Sequence, residues 1–114
     1  RGYARKAQAN LTNVAPEVVE PIPDLLLEPG RLFAHPVSPA AFHDADPGDV
    51  VILRARCDDG RRLPRWLRFD AGQRAFVGIA PLEFEFTELR VAVIASNMDG
   101  LEARSMFLVR RLTS

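Results

Sequence analysis

The 114-residue chain has a single cysteine, a single tryptophan, a single tyrosine and no surplus of charge of either sign. Cys57 alone cannot close an internal disulfide, so the chain must hold its fold by packing. Lys and Arg number 15, as do Asp and Glu, and the formal net charge is zero. Phosphate binding needs an excess of cations on one face, so nucleic acid is not an expected partner. An anionic membrane surface is disfavoured for the same reason. No apolar run approaches the roughly 20 residues of a spanning helix, and direct membrane insertion is not expected. Arg1 to Asn10 holds no apolar stretch resembling a signal sequence. The chain opens on Arg rather than Met, and we read it as a piece of something longer.

Catalytic patterns are missing too. His35 and His43 are the only histidines; they lack a His-x-x-x-His spacing and make no zinc pattern with Cys57. The serines at 38, 96, 105 and 114 sit in no Gly-x-Ser-x-Gly elbow. A glycosidase carboxylate pair needs a deep cleft, which a chain of this size rarely builds. No enzyme is expected. No segment sustains a capped 3.6-residue period, so helices are not expected either.

What is present reads as one globular domain, with 47% hydrophobic and 26% charged residues. Residues 1–12 form a polar, basic tail or the remnant of an upstream element. Residues 13–24 contain Pro16, Pro21 and Pro23, and proline's fixed φ and missing donor predict an extended, at most edge-paired connector. From Leu25 to the end the pattern is β. Val51, Leu53, Ala55 and Cys57 alternate with Arg54 and Arg56, and Leu89, Val91, Val93 and Ala95 alternate with Arg90, Ala92, Ile94 and Ser96. Phe84 and Phe86 flank Glu85 in the same manner. Met106 to Val109 is continuously apolar, so period alone does not assign its inward face. Asp46-Pro47-Gly48-Asp49, Asp58-Asp59-Gly60, Ala71-Gly72 and Asp99-Gly100 supply the turns. Short strands broken by turns at this spacing predict an all-β, antiparallel Greek-key β-sandwich of about seven strands over residues 25–114.

The stretch Leu63-Pro64-Arg65-Trp66-Leu67-Arg68-Phe69-Asp70, followed by Phe76-Val77-Gly78, resembles the dystroglycan-type cadherin-like family, including the Ig-like repeats of large bacterial surface proteins. Asn13-Val14-Ala15-Pro16 is similar to that family's linker entry, Gly30-Arg31-Leu32-Phe33 to its first strand, Phe42-His43-Asp44-Ala45-Asp46 to its Phe-x-Asp-x-Asp corner, and Ala95-Ser96-Asn97 with Gly100 to its Ala-Thr-Asp-x-x-Gly turn. Residues 31–35 and 63–68 also resemble the extracellular domain of sarcoglycans. The resemblance covers residues 13–112. It implies a cadherin/Ig-like sandwich, an extracellular or cell-surface setting (secreted or periplasmic included), and a role in adhesion or assembly beside neighbouring domains of the same chain. The chain departs from the family pattern at Asn97, where relatives carry aspartate, and at Gly78-Ile79-Ala80-Pro81.

Three groups of residues could carry function. Calcium takes six to eight hard oxygens; Asp44, Asp46 and Asp49, with Asn13 from the linker and Asn97 or Asp99 from a neighbouring turn, could converge at one end of the sandwich and stiffen a domain joint. The same aspartates could instead bond their own backbone as turns. Arg54, Arg56, Arg65 and Arg68 could form a basic patch for carboxylated glycans or an acidic protein, or a solvated face balanced by Glu83, Glu85 and Glu88. Trp66 could stack a sugar, but a place between the sheets, worth roughly 3–5 kcal/mol, is the expectation. The reading is a non-catalytic extracellular repeat; a carbohydrate-binding module beside a polysaccharide-active protein is the alternative.

Overall fold

The computed structural model describes residues 14–44 and 50–112. Nine strands occur among them: β1 (Glu17–Val18), β2 (Leu25–Leu27), β3 (Leu32–Pro36), β4 (Phe42–His43), β5 (Ile52–Cys57), β6 (Leu67–Asp70), β7 (Ala75–Ile79), β8 (Glu88–Ser96) and β9 (Glu102–Arg111). Seven of these build a sandwich from a four-stranded sheet, β2-β9-β8-β5, and a three-stranded sheet, β3-β7-β6, while β1 and β4 form a separate two-residue ladder. The chain changes sheet between β2 and β3, β3 and β5, β5 and β6, and β7 and β8, as Greek-key connections do. The expected all-β sandwich is therefore present, with about the expected number of strands.

One pairing departs from the antiparallel rule. β2 runs parallel to β9, with Leu25 opposite Val109 and Leu27 opposite Arg111. Its cause is the proline-rich stretch, which travels alongside β9 in the same direction. Asn97 Nδ2 donates to the Val14 carbonyl near the start of β9, and the Leu108 amide donates to Asp24 Oδ1 near its end. Ile22, between two prolines of that stretch, is buried in the core. The expected connector thus also forms one edge of the sandwich.

The core follows the alternation. Leu53 of β5, Val91, Val93 and Ala95 of β8, and Phe107 and Val109 of β9 point inward and share one core with Phe76 and Leu67 of the other sheet, and Cys57 of β5 is buried as well. The β9 register resolves its consecutive apolar run, since Met106 is exposed and Phe107 buried. Ala92 and Ile94 lie on the outer face of β8 yet are buried. Their cross-strand neighbours explain this: Ala92 stands between Arg56 and Met106, and Ile94 between Arg54 and Arg104, whose long stems cover the small central strand. Phe84 and Phe86 do not continue a strand; residues 80–87 are irregular. The two rings are turned instead onto Trp66.

Candidate functional site

The chain enters and leaves at opposite ends. Val14 is tied to Asn97 in the turn between β8 and β9, and Leu112 is tied by its amide to the Leu27 carbonyl beyond the other end of β9. Ten residues of β9 separate the two, which at about 3.4 Å per residue is roughly 34 Å. We refer to these as the entry and exit ends.

At the entry end, Asn97, 6% exposed, is the one buried polar residue among those described. Its Oδ1 accepts the amides of Asp99 and Leu101 at 3.0 Å each, and its Nδ2 donates to Val14 at 2.9 Å. The side chain expected as a calcium ligand is thus committed to the turn and to the incoming chain. Asp99 is exposed and Asp44 half-buried; Asn13, Asp46 and Asp49 lie outside the described residues. Among the described residues no group of three or more His, Cys, Asp and Glu side chains is placed to hold a metal ion.

The four arginines are not brought together. Arg54 and Arg56 project from the outer face of the four-stranded sheet, whereas Arg68 projects from β6 of the opposite sheet and Arg65 lies in the turn before it. Nearness along the chain misleads here because β5 and β6 belong to different layers. Arg54 donates to Ser96 Oγ and to Glu102 Oε2, at 2.9 and 2.8 Å, so its counter-ion is Glu102 rather than Glu83, Glu85 or Glu88. Arg104, which sequence reasoning passed over, shares that face through cross-strand register and pairs with Asp58 at 3.0 Å. Such exposed pairs contribute about 1 kcal/mol or less.

At the exit end, Trp66 is half-buried rather than enclosed between the sheets. It stacks with Phe86 at 5.9 Å and meets Phe84 and Phe33 edge-on. Two open grooves flank Phe86. One, of about 550 Å³, is lined by Leu26, Phe84, Phe86, Thr87, Arg110, Arg111 and Leu112, with the Arg111 guanidinium 5.9 Å from the Phe84 ring centre. The other, of about 320 Å³, is lined by Pro64, Arg65, Trp66, Pro81, Glu83, Glu85 and Phe86. Because one side of the indole faces solvent, Trp66→Ala should cost about 2 kcal/mol, less than a fully enclosed ring. A chemical melt of the variant checks this, and a loss above about 4 kcal/mol would mean the ring is a central core element.

Among the described residues three titratable groups respond to their surroundings: Cys57, Asp24 and Asp59, the last held below its ordinary value by the Arg61 amide and side chain. Burial pushes the Cys57 thiol up, with Asp59 nearby adding to the effect; its Sγ is 3.5 Å from the Arg62 carbonyl, to which it donates. The thiol is an inert packing group at neutral pH. The Leu108 amide, and then the Arg110 side chain, hold the Asp24 carboxyl below its ordinary value. A lowered folded-state pKa gives stability that is complete above the unfolded value and is lost as pH falls through the lowered one. Asp24→Asn should therefore flatten the acid limb of a Tm-against-pH curve while leaving the neutral and alkaline part parallel; an unchanged acid limb would refute the assignment.

The family model described as "Putative Ig domain" matches residues 15–111. No curated protein matches the chain. No helix among the described residues is long and apolar enough to cross a membrane.

Proposed function

The chain belongs to this Ig family, and from that premise we propose that it is a non-catalytic repeat of the cadherin-like kind, which spaces and assembles the parts of a larger extracellular or surface protein. Ig-like domains are in general non-catalytic binding and structural modules. The observation that carries the reading is the separation of the two chain ends. Val14 and Leu112 are each bonded to the sandwich, about a strand's length apart, so a domain before it and a domain after it would be held in line and at a set distance. Spin labels at Val14→Cys and Leu112→Cys, in a Cys57→Ala background, should give one narrow distance distribution centred beyond about 30 Å. A broad or short distribution would remove the spacer reading.

Calcium stiffening of the entry-end joint is part of this proposal. It rests on the acidic run of the sequence from Asp44 to Asp49 and on the exposed Asp99 in the β8–β9 turn. A ligand at 100 times its dissociation constant adds about 2.7 kcal/mol, several degrees for a domain this small. A melt in chelator and then in millimolar calcium should show an upward shift that Asp46→Ala abolishes; no shift leaves a metal-free spacer. The second reading, a carbohydrate-binding module, is supported by the half-exposed Trp66–Phe86 pair with Glu83 and Glu85 on its groove. Glycan-dependent changes in Trp66 fluorescence would favour it.

A further inference from the structure

The exposed apolar side chains are not spread evenly over the sandwich. At the entry end stand Met98 (71% exposed) and Leu101 in the β8–β9 turn. Beside them are Val50 and Ile52, at the start of β5, where Ile52 pairs with Ser96. At the exit end lies the 550 Å³ groove, whose floor is Leu26, Phe84, Phe86 and Leu112. Between the ends, the outer face of the four-stranded sheet carries Arg54, Arg56, Arg90 and Arg104. Met106 on that face, and Leu32 and Ile79 on the other sheet, are exposed as well. A sandwich whose outer four-stranded face is dominated by arginines and whose two ends carry apolar side chains can nonetheless bury that apolar surface by stacking end on end.

The two ends also differ in shape and charge. The entry end is convex, a tight turn with Gly100 at φ +82° and Met98 at its tip. The exit end is concave and aromatic, and flexible thioethers pack well against aromatic rings. Asp99 is exposed beside Met98, while Arg110 and Arg111 line the groove. We infer that the exit-end groove is a docking site for the β8–β9 turn of a second copy of this domain, with Met98 against Phe84 and Phe86 and Asp99 towards Arg111. Such a contact joins different surfaces of the two copies and does not close on itself, so it propagates into a head-to-tail row. This inference rests on the spacer reading and names the surface by which one repeat meets the next.

Sedimentation velocity on the free chain tests it at concentrations rising to about 1 mM, the range in which small interfaces dissociate. The weight-average sedimentation coefficient should rise steadily and pass the dimer value. Met98→Glu blocks the turn and Leu26→Glu blocks the groove; both replace exposed side chains, and thermal melts confirm that each variant folds. Each variant alone should stay monomeric. An equal mixture should form a dimer and stop there, because it holds one intact groove and one intact turn per pair. A wild-type chain that stays monomeric throughout overturns the inference, as does Met98→Glu associating like the parent. Neither outcome touches the end-to-end label distance, which tests the spacer reading separately.

Discussion

Gly78→Ala is expected to destabilise the domain by more than about 3 kcal/mol, beyond the usual range for an added methyl group. A Cβ at this position would overlap the Trp66 carbonyl oxygen and lie 3.0 Å from the Phe33 ring. The first of these is backbone. It belongs to the turn in which the Leu67 amide donates to the Pro64 carbonyl, just where β6 begins its ladder with β7 and Leu67 comes opposite Gly78. Neither strand can retreat without breaking the three-stranded sheet, since Gly78 is also paired with Phe33 on its other side. Gly72 makes the control: a Cβ there would sit 3.4 Å from Asp70 Oδ1, an ordinary contact at the end of a side chain, so Gly72→Ala should change stability by no more than about 0.5 kcal/mol. Urea melts of the two variants decide the matter. A Gly78→Ala loss under about 1 kcal/mol would mean the turn yields, and that the glycine is not required by close backbone approach.

This close approach explains why a glycine stands at 78, opposite the turn at residues 64–67, a link that periodicity does not reveal. Alternation located β5 and β8 because each has one face on the core and, on the other, arginines interspersed with Ile52 in β5 and with Ala92, Ile94 and Ser96 in β8. It failed at Phe84 and Phe86, where two apolar residues around a glutamate satisfy a period of two equally well in a strand and in a loop clamped onto an indole. It was silent on β9, where four apolar residues in a row hide which of them face inward. The arginine patch was misjudged for a topological reason. Arg65 and Arg68 are close to Arg54 and Arg56 in sequence, but the chain changes layers between β5 and β6, while Arg90 and Arg104 reach the same face from strands far along the chain. Cross-strand register is set by tertiary pairing, and no local pattern encodes it. The aromatic groove at the exit end was unreadable for the same reason: Leu26, Phe86 and Leu112 meet only once β2 has paired in parallel with β9.

Asn97→Asp is expected to cost about 2–3 kcal/mol, through loss of a buried donor and burial of a charge in its place. The carboxylate could still accept the amides of Asp99 and Leu101. Its second oxygen, however, would face the Val14 carbonyl oxygen where Nδ2 now donates at 2.9 Å, setting two acceptors against each other. The domain should melt several degrees lower, and the chain entry at Val14 should loosen, visible as faster amide exchange through β1. The substitution also restores the aspartate of the cadherin-like turn that Ala95-Ser96-Asn97 resembles. Two facing hard oxygens beside the exposed Asp99 would offer a calcium ion part of its six to eight ligands, an arrangement the folded chain alone does not tolerate. Millimolar calcium should therefore raise the Tm of Asn97→Asp by more than it raises that of the parent. Asparagine would then be the residue that lets this domain hold its incoming strand without the ion. An equal rise in both proteins would place any calcium site away from the turn, and a variant as stable as the parent in chelator would show that the Asn97–Val14 bond does not secure the entry.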